Sequence, residues 1–221
     1  MINMKEDKNN IRVLKPRIPN ELANFEHLES NILDYDSVST VIINKCHLEN
    51  LNARKVSFKE IIFNNVVFRN VSFECSEFMD IRFENCDLSN VNFIESSIHR
   101  VEFVNCKLIG INLSESTIRN VIFNQCNGQY AFFRFVDFKQ VLFSDCQLPF
   151  ADFQESEFSK VEFKNTDMTQ SQMYGTKLKG MDFCSCNIDG MGARIEDVKG
   201  VIVTPAQAIS LASLIGIVIK V

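Results

Sequence analysis

Large apolar residues recur every fifth position through most of this chain. They stand at Phe63, Phe68, Phe73, Phe78, Phe83, Leu88, Phe93, Ile98, Phe103, Leu108, Leu113, Ile118 and Phe123, and after a gap at Gly128 resume from Phe133 to Phe163. Two positions before each comes a second, small or β-branched residue. Ile61, Val71, Ile81, Val91 and Val101 alternate there with Ser76, Cys86, Ser96 and Cys106. A period of five fits neither a helix nor an alternating strand. It fits a chain that turns a corner every five residues with two side chains of each five facing inward.

Columns at twenty are purer than those at ten or fifteen. One reads Phe63, Phe83, Phe103, Phe123, Phe143, Phe163, Phe183, and its companion Ile61, Ile81, Val101, Val121, Val141, Val161, Met181. Four sides therefore close one coil. The predicted fold is an all-β solenoid, a right-handed quadrilateral parallel β-helix with a short C-terminal α-helix. Roughly eight or nine coils at about 4.8 Å each give some 40 Å.

Runs such as Cys86-Asp87-Leu88-Ser89-Asn90-Val91-Asn92-Phe93 match the pattern A(D/N)LXX, and by them the chain resembles the pentapeptide-repeat proteins from about Glu26 to Val203. It departs in detail: Val, Ile, Cys or Ser replace most of the expected Ala, and Phe most of the Leu.

The ends differ from the middle. Residues 1–19 are polar and then carry Pro16 and Pro19, which forbid regular pairing; they predict a disordered start and an extended segment covering the first coil. Residues 20–203 form the repeat region, degraded at first through Leu28, Leu33, Val38, Ile43, Leu48 and Ala53, as terminal repeats are. In 204–221, Thr204-Pro205-Ala206-Gln207 is a capping box with Pro at the first helical position. A helix to Ile215, a stop at Gly216 and a strand over Ile217-Val218-Ile219 follow. The helix is apolar on nearly every side. One face plugs the coil, and the other either closes a monomer or meets a second copy. In a tail-to-tail dimer the contact is Ile209, Leu211, Ala212, Leu214, Ile215, Ile217 and Ile219.

Composition narrows the chemistry. Of 221 residues, 20 are Phe, 3 Tyr and none Trp, so aromatic mass serves as filling. A net charge of −5 argues against direct nucleic-acid binding. No segment is long and apolar enough to span a bilayer, and the start lacks a signal peptide, which predicts a cytoplasmic protein without membrane contact. Six of the 8 Cys (Cys46, Cys86, Cys106, Cys126, Cys146, Cys186) share one inward column and read as buried filler. Cys184 and Cys186 should face opposite sides of the wall, so no metal site is expected. His27, His47 and His99 are scattered and the repeat serines lack a base; no catalytic residues, no cofactor and no enzyme activity are predicted.

Two surface features remain. Tyr130, Phe132, Phe135 and Phe150 stand at outward positions beside Gly128 and Pro149. Either a ring folds back through an irregular turn to fill the gap, or the four form a partner contact. Glu95, Glu115 and Glu155 share the column of Phe135 and join that candidate surface. The outward charges are otherwise of mixed sign.

The tail, Ile202 to Ala208 and then Leu214-Ile215-Gly216-Ile217, resembles the dimer-forming end of the Qnr quinolone-resistance subfamily. The unbroken register is similar to its loop-less Gram-positive and mycobacterial relatives. That resemblance implies a homodimeric, DNA-shaped cylinder that binds DNA gyrase or topoisomerase IV and relieves drug poisoning. With so modest an acidic surplus, shape would have to supply more of the mimicry than charge. The alternative is a pentapeptide-repeat scaffold for a non-topoisomerase partner.

Overall fold

In the computed structural model, which describes residues 11–24 and 32–219, the chain is a parallel β-solenoid of about seven turns with a short C-terminal helix. The strands β1 (Ala23–Asn24), β2 (Ser37–Asn44), β4 (Ser57–Asn64), β6 (Glu77–Glu84), β7 (Ser97–Val104), β8 (Thr117–Asn124), β9 (Asp137–Ser144) and β10 (Glu157–Lys164) form one sheet in that order. From β2 to β10 each residue pairs with the one twenty further on, Val101 with Val121 for example. Strands β3 (His47–Asn52) and β5 (Val67–Ser72) make a second, shorter sheet. Four walls result: the first is centred on Phe63, Phe83 and Phe103, the second on Phe68 and Leu88, the third on Phe73 and Phe93, the fourth on Phe78 and Ile98.

Corners explain the repeat. Every fifth residue from Tyr35 to Gln170, without exception, has φ between +47° and +70°. This left-handed conformation costs an L-residue about 1–2 kcal/mol, and Asn, the mildest case, fills eight of the corners, among them Asn85, Asn105 and Asn165. The others are held there because the ladders on both sides fix the backbone. The Asp or Asn before each apolar plug has its own task. Asp87 Oδ1 accepts the Ser89 N–H at 3.1 Å, Asn112 that of Ser114 at 3.1 Å, and Asp167 that of Thr169 at 3.0 Å. The position two beyond the Asp or Asn has no backbone partner on walls two and three, so the side chain supplies one.

Inside, the first-wall rings stack with centroids 4.6–4.9 Å apart and planes within 6° from Phe63 through Phe163. Most polar inward residues are hydrogen-bonded, the buried Ser171 hydroxyl being an exception among the described residues. Ser96 Oγ accepts the Ser76 N–H at 3.1 Å and donates to the Phe73 carbonyl at 3.1 Å. Cysteines repeat that geometry more weakly, Cys106 Sγ reaching the Phe83 carbonyl at 3.5 Å. The neighbouring Cys106 thiol and burial hold Cys86 and Cys126 above the ordinary thiol range. Cys86, Cys106, Cys126, Cys146 and Cys186 are buried and Cys46 partly so, while Cys184 faces solvent. Among the described residues no helix is long and apolar enough to cross a membrane.

Several expectations need correction. Residues 11–19 do not cover the first coil. They run along the outside, across the coils, as a strap at the corner between walls four and one. Gln140 Nε2 donates to the Arg12 carbonyl at 3.0 Å, Leu14 N–H to Asn120 Oδ1 at 3.1 Å, and Arg17 N–H to Asp80 Oδ1 at 2.9 Å. An extended, proline-containing segment matches the coil rise, because three residues from Leu14 to Arg17 cross the two coils between Asn120 and Asp80. Its Lys15 lies 3.8 Å from Glu102 of the solenoid, and the solenoid's own Arg100 clasps Asp80 with two 2.6 Å bonds. Burial alone would raise the Asp80 pKa, but the bonds from Arg100 and from the Arg17 N–H hold it below the usual carboxylate value.

Leu33 points out, at 70% exposure, and Ile32 is buried instead, because Asp36 draws the Leu33 N–H into a local turn and Asp34 ties that turn to the Arg54 N–H of the next coil. Leu28 and residues 1–10 lie outside the described residues. At the other end α1 (Pro205–Ala212) opens with the expected capping box and passes into a 3-10 turn, Ser213–Ile215, closed by Gly216 at φ +74°. No strand forms over residues 217–219, since no neighbouring backbone is left to pair with them. Gln207 does double duty, its Nε2 donating to the Phe183 and Cys186 carbonyls at 2.8 and 2.7 Å.

Candidate partner-binding surface

The third wall carries the aromatic group. Gly128 leaves no plug, and a Cβ placed on it would lie 2.7 Å from Leu148 Cδ2, so the leucine of the next coil fills the gap. No ring folds back. The turn is also regular: Ala131 N–H reaches the Gly128 carbonyl at 3.0 Å, and Tyr130 N–H the Pro149 carbonyl at 3.1 Å. Pro149 disturbs nothing because it occupies the position whose N–H never joins the backbone ladder.

With the interior filled by others, all four rings stay outside. Phe135 is 59% exposed, Tyr130 49%, Phe132 44% and Phe150 37%. Tyr130 and Phe150 sit one above the other on the corner before the wall, stacked with centroids 4.9 Å apart and planes at 17°. Phe132 stands in mid-wall and Phe135 on the far corner. The structure thus gathers the predicted residues on one wall. It adds Tyr174, also exposed, which leans over Gly192, where a Cβ would come within 2.8 Å of the ring. An outward-column reading of the sequence would have found it.

The carboxylates flank the rings and differ in freedom. Glu155 is ion-paired with Arg194 at 2.9 Å, and Glu95 lies 3.4 Å from Cys75 Sγ. Glu115, next to Phe135 in the column, is exposed and makes no ion pair among the described residues. Arg134 is engaged by Asp152. The wall therefore offers an apolar, π-rich centre with an acidic margin. Such a face suits a protein surface of apolar side chains fringed by Lys or Arg.

The tail residues divide. Leu211 and Leu214 pack on the core of their own solenoid, and Ala212 is half-buried. Ile209, Ile215, Ile217 and Ile219 are exposed, with Val218 beside them. Among the described residues no three His, Cys, Asp or Glu side chains gather as a metal site would require.

Residues 76–153 and 131–192 match the family description "Pentapeptide repeat region". No curated protein matches the chain. Among solved structures, QnrB1, a plasmid-mediated fluoroquinolone resistance protein, is 15% identical over 84% of this chain and 97% of its own, with a TM-score of 0.45. HetL, a pentapeptide repeat protein involved in heterocyst differentiation regulation from the cyanobacterium Nostoc, is 14% identical over 80% and 92%, with a TM-score of 0.40. At that level each is similar in repeat architecture and in nothing finer.

Proposed function

This chain belongs to the pentapeptide-repeat family, and we propose that it works without catalysis, as a rigid rod that binds a protein through its third wall. The observation that carries this reading is the exposed cluster of Tyr130, Phe132, Phe135 and Phe150. Nothing in the interior needs these rings, and the corner aromatics give the fold no core packing, only the stacking of Tyr130 on Phe150. Contiguous exposed rings of this kind mark interaction surfaces.

The partner we propose is a type II topoisomerase, DNA gyrase or topoisomerase IV, which the rod would protect from quinolone-type inhibitors. Support comes from the resemblance of the tail to the Qnr end and from a cylinder of roughly 35 Å per subunit, seven turns at about 4.8 Å. Charges of both signs interleave on the walls, so shape supplies most of any likeness to DNA. The exposed Ile209, Ile215, Ile217 and Ile219 would join two copies tail to tail. Purified protein is expected to restore gyrase supercoiling in the presence of a fluoroquinolone; absence of rescue at every concentration refutes the topoisomerase reading.

A scaffold for another protein is favoured by the same aromatic wall, which has no DNA-like character. Capture of one defined non-topoisomerase protein, lost in Phe150→Ser, would select it.

A further inference from the structure

The sheet ends too early. The order stops at β10, although the chain goes on to make a further coil beneath it. On walls two and three the ladder continues, Gln147 to Asp167 to Asn187 and Asp152 to Gln172 to Gly192. On walls four and one it does not: Asp182 pairs with Ile202 below and nothing bridges Glu162 to Asp182. The corner conformation changes at this point. Gly175 and Gly180 take φ +79° and +80°, and the strand that should follow β10 is replaced by turns.

The two coils consequently part on one side. Phe163 and Phe183 lie 5.8 Å apart at 32°, against the parallel stacking above them. Phe158 and Met181, inward by position, are only half-buried. A cavity of about 660 Å³ opens between the coils, floored by Phe158, Val161, Phe163 and Met181, with Ile11 of the strap at its border. Its rim carries Lys160, Lys179 and Asp182 together with the Lys164–Glu162 ion pair. Its size lies within the roughly 300–1,000 Å³ of ligand sites. Neither Lys160 nor Lys179 makes an ion pair among the described residues.

One side of this cleft is a strand edge. In the coils above, the N–H of each plug and of the following corner residue points to the next coil, as Leu148 N–H does to the Asp167 carbonyl and Phe150 N–H to that of Thr169. By the same register the N–H groups of Phe158, Lys160 and Phe163 point into the cleft, where no backbone of the described residues receives them.

We propose that this cleft is a binding site for an extended peptide of another protein, which adds as a strand along β10. Backbone bonds to the edge hold it, apolar side chains enter the floor, and alternate Asp or Glu side chains meet Lys160 and Lys179. A free strand edge supplies the affinity and side-chain pockets the selectivity in this mode of recognition. The site is on walls four and one, away from the aromatic surface, and does not depend on the identity of the partner bound there.

The probe is a fluorescein-labelled octapeptide alternating Glu with Val and Phe, titrated into the full chain and followed by anisotropy. Saturable binding is expected, at least tenfold weaker in K160E/K179E and unchanged in Phe150→Ser. The same peptide N-methylated at alternate residues should not bind. Hydrogen exchange at Phe158, Lys160 and Phe163 should slow at least tenfold when the peptide is bound. Failure to saturate, or equal binding of the N-methylated peptide, overturns the proposal. So does exchange at these three amides that, without peptide, is already as slow as at Phe138, Gln140 and Phe143, because the edge would then be filled by the chain itself or by a second copy. An affinity indifferent to K160E/K179E overturns the acidic part of the ligand class.

Discussion

The middle coils and the last complete coil are built from the same five-residue unit, yet they differ in how their neighbours meet. From β6 to β9 each ring lies flat on the next, and backbone, plug and corner repeat together. Below β10 the plugs persist, with Leu178 and Phe183 fully buried, but the backbone ladder on two walls is gone. Filling a tube with apolar side chains is therefore a weaker condition than stacking its walls. The ladder also needs every corner to share one φ, and glycine at Gly175 and Gly180 releases that constraint.

The largest expected effect tests the packing difference. Phe103→Ala should cost about 3–5 kcal/mol, the usual range for emptying a buried phenyl site. Phe183→Ala should cost roughly half as much, because the parted coil can close over the void. Urea unfolding of both variants, read by tryptophan-free far-ultraviolet dichroism, checks this. Equal losses would mean that the last coil is packed as tightly as the middle.

Next comes the strap, which braces the coils between Gln140 and Asp80. Asp80→Asn should cost about 2 kcal/mol by leaving the Arg100 guanidinium, largely buried, without its counter-ion. Exchange at the Leu14 and Arg17 amides should accelerate. Because the Asp80 pKa is lowered in the fold, its contribution is complete above the unfolded value and is lost as pH falls through the folded one. The strap is therefore expected to stay docked at neutral pH and to loosen only below about pH 4. Amide exchange of the wild-type chain against pH tests the sign, and a strap that loosens on going from acid to neutral pH would contradict it.

A smaller effect sharpens the corner argument. Gly180 has φ +80° and nothing within 4 Å of an added Cβ, so Gly180→Ala should cost only the left-handed strain, about 1 kcal/mol. A thermal melt would show it, and a gain in stability would mean that the corner relaxes toward the conformation of the coils above. The smallest effect is chemical. Native protein should react with a thiol reagent first at the exposed Cys184, more slowly than a free thiol because Asp182 beside it raises its pKa, while Cys106 and Cys126 react only on unfolding. Quantitative alkylation followed by peptide mapping distinguishes them, and early labelling of the inward column would mean that the middle breathes.

The solenoid was legible in the chain because stacking multiplies a short signal. Twenty-residue columns such as Phe63 to Phe163 and Cys86 to Cys146 repeat one local choice many times, so the period, the inward positions and the outward aromatic group all follow from side-chain type. Gly128 and Pro149 misled for a local reason. A missing plug looks like an irregular turn until Leu148, twenty residues away, is seen to fill it, and Pro149 is harmless only because of where the ladder bonds fall.

By itself the order of residues determined the repeat, the family and the capped helix, since each depends on contacts within five residues or at one fixed spacing. The path of residues 11–19 along the flank, the turning of Leu211 and Leu214 onto their own core, the absence of a strand at 217–219 and the parting of the coils below β10 were decided only in three dimensions. Each of these is a competition between distant backbone groups for the same partners, and a periodic pattern carries no record of who wins it.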